Sequence, residues 1–176
     1  MITLDEVIAE LRNGSPDVLV HLDVKYEPEW TEGPEVFAEE ILKRWRAANL
    51  PNPWYVSANL PELIRAFEAK SDGGDVPTSL IWPRFPPGAS TVPIALASEA
   101  MNVLGFQHLI QLAKDAQADG ICIAYQVADR QAIEAARAAG LKVQLWTLND
   151  EALLDAYCRW PLDGIITDMP EAAPCR

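Results

Sequence analysis

The clearest pattern in the chain is the alternation of apolar and polar residues over residues 18–26, VLVHLDVKY. A period of two predicts a strand with two unlike faces. One face carries Val18, Val20, Leu22 and Val24, and the other carries Leu19, His21, Asp23 and Lys25. We expect the aliphatic face to pack under helices and the polar face to point into a shared interior. That arrangement is typical of a parallel barrel.

The rest of the pattern predicts helices that alternate with five further strands. A Thr3–Glu6 capping box opens the first helix. The predicted strands are 18–26, 54–59, 78–82, 120–125, 142–148 and 164–168, and the later helices are 34–48, 61–70, 94–103, 106–117, 128–139 and a segment after 150. Residues 83–93 hold four prolines and predict a long loop. This order indicates an α/β fold with a parallel sheet.

The number of strands predicts an incomplete TIM-type barrel. A complete eightfold (β/α) barrel takes about 250 residues, whereas this chain has 176. We therefore expect about six parallel strands in a single domain over residues 1–176, short of a complete barrel by roughly two units.

Composition narrows the classes of partner and compartment. A net charge of −12 argues against nucleic acid and against an anionic membrane surface. No apolar run approaches the ~20 residues of a membrane span, and the first residues do not resemble a secretory signal. Three cysteines without motif spacing predict a cytoplasmic location.

Residues 142–170 read as strand, helix and strand with short links, which requires a parallel crossover. Asn149 or Asp150 can cap the helix between them. Because both strands then end at the same carboxyl edge, Trp146 and Asp168 are predicted to lie there together.

Several segments resemble the glycerophosphodiester phosphodiesterase family. The strongest is WTLND…LDGIITDMP, preceded by ARAAGLKVQL. TLDEV followed by HLDVK resembles the third unit of that family, and VSANLPEL resembles its Ser-Phe stretch, with Ala58 in place of the aromatic residue. The similarity runs in order over nearly the whole chain.

The resemblance implies a metal-assisted hydrolase of lipid metabolism that converts a glycerophosphodiester and water to an alcohol and glycerol phosphate. It implies a divalent cation, Mg²⁺ or Ca²⁺, with Asp23 as one acidic ligand. It also implies that Lys25 contacts the phosphate and that Trp146 lines the substrate pocket. The resemblance also implies that the first two units of the barrel are missing. The acid–base histidines of the family and its other two metal carboxylates belong to those two units, so no catalytic residue is assigned. Neither His21 nor His108 occupies a matching position.

The residues alone leave alternatives for each of these positions. Asp23 and Lys25 are either an inherited site or a buried ion pair. His21 is either a proton shuttle or a hydrogen-bonded interior residue, and Trp146 is either pocket wall or packed core. Asp168 either orients Lys25 or bonds backbone at the end of its strand.

Two functions follow, from different classes. The first is a phosphodiesterase with a small phosphodiester substrate that is inactive or incomplete as this chain alone. The second is a non-catalytic barrel remnant that serves as a binding or assembly module. Because missing barrel strands leave unpaired strand edges, we expect a homo-oligomer or a complementing fragment. An open doubly wound sheet is disfavoured, because it would need apolar residues on both faces of its central strands.

Overall fold

The computed structural model describes residues 3–26, 32–72, 74–82 and 105–174. The six strands in these residues are β1 (Val20–Val24), β2 (Trp54–Ala58), β3 (Thr78–Trp82), β4 (Gly120–Ala124), β5 (Lys142–Trp146) and β6 (Gly164–Ile165). The six α-helices are α1 (Leu4–Asn13), α2 (Pro34–Ala48), α3 (Pro61–Lys70), α4 (Phe106–Asp115), α5 (Arg130–Ala138) and α6 (Glu151–Tyr157). Short 3₁₀ turns span Tyr125–Val127 and Pro170–Ala172. The predicted helix 94–103 and loop 83–93 lie outside the described residues.

All six strands are parallel and lie in one sheet in the order of the chain, β1 to β6. The sheet is strongly curled, because a side chain of β2 reaches one of β5 across the two strands between them. Gln144 Nε2 donates a hydrogen bond to the Tyr55 hydroxyl at 2.9 Å. Ser79 and Gly120 pair with each other on β3 and β4, and their small size leaves room for that contact. The sheet is a half-barrel, as the sequence predicts.

The helices cover the convex face and form the core with it. The largest fully buried side chains come from helices, strands and the segments that join them: Leu42, Leu60, Leu63, Ile64, Phe67, Leu109, Ile121, Ile123, Ile133, Leu145, Leu148 and Leu154. Trp45 of α2 stacks on Trp54 of β2 with ring centroids 4.7 Å apart. On β1, Val24 is buried and Leu22 packs against the core, so these two residues face the helices as predicted.

Helix starts follow the predicted capping signals. Thr3 Oγ1 accepts from Glu6 N–H, and the Glu6 carboxylate accepts from Thr3 N–H at 2.7 Å, which completes the capping box. Asp150 caps α6 by accepting from Leu153 N–H. Asp150 therefore fills the role that the sequence left open between Asn149 and Asp150.

Both edge strands are shorter than predicted. β1 begins at Val20, whose N–H donates to Pro53 O, whereas Val18 N–H turns back to Ser15 O. Val18 and Leu19 are 50% and 57% exposed, so the prediction that Val18 packs under helices is wrong. Among the described residues, β1 and β6 each have a neighbouring strand on one side only. In the same part of the chain, no helix is long and apolar enough to cross a membrane.

Candidate active-site edge

Asp23 and Lys25 lie at the carboxyl end of β1, on the concave side of the sheet. Asp23 pairs in register with Ser57 on β2, and both alternate with residues that face the helices. Lys25 Nζ lies 2.7 Å from each Asp23 carboxylate oxygen. The Lys25 and Asp23 side chains are 60% and 45% exposed, so the alternative of a buried ion pair is wrong. An exposed ion pair contributes only about 0–1 kcal/mol to folding, so fold stability does not explain its presence.

His21 lies two residues before Asp23 on the same face. Its Nε2 forms a hydrogen bond with the hydroxyl of Ser57, which is fully buried. Its ring stacks on Tyr55 with centroids 4.2 Å apart. Burial lowers the pKa of His21; the Asp23 carboxylate opposes that shift, and Lys25 adds to it. These contacts match the hydrogen-bonded interior residue of the two alternatives for His21.

The lowered pKa of His21 predicts a pH dependence of stability. A histidine whose folded-state pKa is depressed contributes stability above its unfolded-state pKa of about 6.5 and loses it as pH falls. We expect the free energy of unfolding to decrease between pH 7 and pH 5. His21→Gln should show a shallower decrease in denaturant titrations over that range. The exposed His108 provides the control, because His108→Gln should keep the slope of the native protein. Equal slopes for His21→Gln and the native protein would contradict the prediction.

Trp146 ends β5 on the concave face and is half-buried. Its indole Nε1 donates to the backbone carbonyls of Trp82 and Cys122, each at 3.2 Å. These bonds fix the ring above β3 and β4. The indole is held by the sheet, and its remaining exposure leaves it available as a wall of a pocket.

Cys122 connects Trp146 to the ion pair across the concave face. Burial raises the pKa of the Cys122 thiol to about 12; Asp23 raises it further and Lys25 opposes the rise. Cys122 alternates with the core residues Ile121 and Ile123 and therefore lies on the same concave face as the ion pair of β1. Its backbone carbonyl accepts from Trp146.

Asp168 bonds locally at the end of β6. Its N–H donates to Asn149 Oδ1 at 2.9 Å, and its carboxylate accepts from Asn149 Nδ2 at 2.7 Å. Thr167 Oγ1 also donates to Asn149 Oδ1. Neither alternative for Asp168 matches as stated: Lys25 bonds Asp23, and the Asp168 carboxylate bonds the side-chain amide of Asn149 rather than backbone. Asn149 ties the carboxyl ends of β5 and β6 together.

The described residues do not fit a divalent cation. Mg²⁺ and Ca²⁺ take several oxygen ligands, and no group of three His, Cys, Asp or Glu side chains in the described ranges could hold a metal ion. Both Asp23 carboxylate oxygens accept from Lys25, and the Asp168 carboxylate accepts from Asn149. His108 is exposed on helix α4 and does not belong to a strand that ends at this edge.

Tyr55, Ser57 and Gln144 also line the concave face, and sequence reasoning did not identify them. Their signal is the same alternation that marked β1. WYVSA and KVQLW each place polar residues at every second position, and those positions face inward. Within one strand this pattern is weak, because a five-residue strand gives only two or three inward residues.

This half-barrel, with polar side chains on its concave face, defines the class of a TIM-type α/β protein, a fold whose enzymes carry their sites at the carboxyl edge of the sheet. The model of the glycerophosphoryl diester phosphodiesterase family matches residues 1–172. The chain belongs to that family. None of the curated protein sequences matches it at a significant level.

Solved structures share the fold at low sequence identity. A glycerophosphodiester phosphodiesterase from Parabacteroides distasonis superposes with a TM-score of 0.68 and 14% identity, over 97% of this chain and 61% of its own. One from Thermotoga maritima gives 0.61 and 18%, over 95% and 60%. A phosphodiesterase from Oleispira antarctica, in complex with the product sn-glycerol-3-phosphate, gives 0.60 and 18%, over 86% and 51%. The chain thus spans about half to three-fifths of their length.

Proposed function

We propose that this chain binds a small glycerophosphodiester or its glycerol phosphate product at the carboxyl edge of the half-barrel. Lys25 contacts the phosphate, and Trp146 forms a wall of the pocket. The observation that carries the proposal is the exposed Asp23–Lys25 pair, which lies on the same concave face as Trp146, in a member of this family. The glycerol phosphate bound to the Oleispira antarctica protein supports the choice of ligand.

Asp23 acts on Lys25 in this proposal. Its carboxylate accepts from the ammonium and holds it at the edge, where a phosphate can accept from the remaining N–H group. Asp23 is also the acidic residue that family resemblance assigns to a divalent cation, Mg²⁺ or Ca²⁺. Because the described residues supply too few oxygen ligands for that cation, we derive no catalytic step from it.

We further propose that the 176-residue polypeptide, assayed by itself, hydrolyses phosphodiesters poorly or not at all. Among the described residues, His21 is engaged with Ser57 and Tyr55, and His108 lies on an exposed helix surface. Neither is placed as a general acid or base. The lack of proton transfer alone costs about 10²–10⁴ in rate.

Turnover of glycerophosphocholine tests this proposal directly. Purified chain is incubated with Mg²⁺ or Ca²⁺ beside an Asp23→Ala variant, and released choline and glycerol phosphate are measured. We expect no release above the rate without protein for either chain. Rapid release that disappears in Asp23→Ala would contradict the proposed inactivity and would establish an enzyme.

An assembly module is the second candidate, and the open edge of β1 favours it. Since Val20 N–H donates toward β2, the peptide groups of His21 and Asp23 point to the other side, where the described residues provide no strand. Exposed Val18 and Leu19 lie just before the start of the same strand. Such an edge invites pairing with a second copy or a complementing fragment.

Sedimentation velocity tests the homo-oligomer. We expect the native chain to sediment as a dimer or larger species at micromolar concentration, and the double variant Val18→Lys, Leu19→Lys to shift toward monomer. Val36→Lys is the matched control, because Val36 is also 50% exposed but lies on α2. A native chain that remains monomeric throughout would count against self-association and leave the complementing fragment as the remaining partner.

We propose the cytoplasmic location on composition alone. Cys122 is a free, buried thiol, whereas Cys158 is disulfide-bonded, and disulfide bonds are typical of oxidising compartments. The free thiol agrees with a cytoplasmic location, and the disulfide bond with an oxidising compartment. Cell fractionation decides between them: recovery of the protein with cytoplasmic markers supports the proposal, and recovery outside the cytoplasm overturns it.

A further inference from the structure

A cavity of about 390 Å³ lies at the amino-terminal end of the concave face. It is lined by residues at or just before the starts of the six strands, namely Leu19, Pro53, Pro77, Asp119, Lys142 and Asp163, and by inward residues of β2 to β5. Asp23 lies four residues farther along β1 than Leu19, a distance of about 13 Å at the rise of a strand. This cavity is therefore separate from the candidate phosphodiester site.

Two buried polar atoms belong to side chains that line this cavity, and neither has a hydrogen-bond partner among the described residues. They are Ser79 Oγ and Gln144 Oε1. Ser79 is only 5% exposed. Most buried polar groups in folded proteins are partnered, because an unpaired one loses its hydration without compensation. Two unpaired groups on one cavity need hydrogen-bond partners, which water or a polar ligand supplies.

The hydrogen bond between Gln144 and Tyr55 defines what that partner must be. Gln144 Nε2 donates to the Tyr55 hydroxyl, which leaves Gln144 Oε1 in need of a donor. Rotating the amide by 180° would leave Nε2 in need of an acceptor instead. Ser79 Oγ can donate or accept. A hydroxyl group satisfies every one of these cases, since it both donates and accepts.

Gly120 keeps the floor of the cavity open beside Ser79. A Cβ at this position would lie 3.4 Å from Ser79 Oγ and 2.9 Å from the carbonyl oxygen of Lys142. Any other residue would fill the space that Ser79 faces and would also press on β5.

The mouth of the cavity indicates an uncharged ligand. Asp119 accepts from Thr78 N–H, and Asp163 accepts from Val143 N–H and from Arg137. The Lys142 ammonium and the Arg137 guanidinium balance these two carboxylates, so the mouth carries no net charge that would attract an ion.

The apolar walls from Leu19, Pro53 and Pro77 suit a carbon skeleton. We propose that this cavity binds a small uncharged molecule with several hydroxyl groups, a polyol. The proposal does not depend on the phosphodiester site.

Xylitol titration followed by two-dimensional amide NMR tests the proposal on the intact chain. We expect saturable shifts centred on Ser79 and on the Gln144 side-chain amide. 1,5-Pentanediol, which has the same number of carbons but lacks the three inner hydroxyls, should bind at least 5-fold more weakly. Equal affinities for the two compounds, or shifts that never saturate, would overturn the proposal.

Variants locate the binding. Ser79→Ala should fold, because it removes a hydroxyl that bonds none of the described residues, and it should weaken xylitol binding at least 5-fold. Ser57→Ala is the matched control: Ser57 pairs with Ser79 in register, but its hydroxyl bonds His21. The affinity of the Ser57→Ala variant for xylitol should stay within 2-fold of the affinity of the native chain. Unchanged affinity in Ser79→Ala would refute the site.

Discussion

Replacing Lys25 by alanine should weaken the binding of sn-glycerol 3-phosphate about 10- to 100-fold. A hydrogen bond to a charged group contributes about 1.5–3 kcal/mol, and each 1.4 kcal/mol is a factor of ten in the dissociation constant. Lys25 is 60% exposed, and its ammonium bonds the Asp23 carboxylate. The substitution therefore removes the proposed phosphate contact without disturbing the core. Isothermal titration calorimetry measures the loss.

Lys43→Ala is the control for this substitution. Lys43 is 74% exposed and, like Lys25, lies beside a carboxylate, that of Glu40, at 3.6 Å, but it lies on α2 rather than at the edge of the sheet. Its variant should bind within 2-fold of the native chain. Equal affinities for Lys25→Ala and Lys43→Ala would show that phosphate does not bind at Lys25, and the proposed function would fail with it.

Phe67→Ala should lower the free energy of unfolding by about 3–5 kcal/mol, the range for deleting a buried phenylalanine side chain. Phe67 is 0% exposed in the core between the helices and the convex face of the sheet. Small domains are stable by only about 5–15 kcal/mol, so this variant should unfold at a much lower urea concentration. Urea titration followed by circular dichroism measures the difference.

Val36→Ala is the comparison for Phe67→Ala. Val36 is 50% exposed on α2, and surface substitutions of this kind usually change stability by less than about 0.5 kcal/mol. A loss below about 1 kcal/mol for Phe67→Ala would mean that this residue is not packed as the structure places it.

Periodicity in the sequence was sufficient to predict the sheet because buried strands and amphipathic helices have distinct repeats. The bounds of α2, α3 and β3 match their predictions to the residue. Strand ends were predicted less well where the sheet is open. Val18 continues the alternation of β1, yet no described strand or helix covers it, because a pattern of residues records which face is apolar but not whether a neighbour is present.

The site was predicted in part. Alternation placed Asp23 and Lys25 on the inner face, and family resemblance assigned them a role. Burial of the ion pair could not be judged from the sequence, because it depends on what lies beyond the edge strand. The contact between Tyr55 and Gln144 also could not be predicted from the sequence, since it joins residues 89 positions apart and exists only because the sheet is curled.

The most direct test of the central claim is an NMR titration of the native chain with sn-glycerol 3-phosphate. The claim is that Lys25 and Trp146 form one phosphate-binding edge. The signals of the Lys25 side chain and the Trp146 indole N–H, assigned with Lys25→Arg and Trp146→Phe variants, are followed together. We predict that both shift in the same titration and give the same dissociation constant. A shift at Lys25 with no change at Trp146, or no saturable shift at either, would contradict the claim.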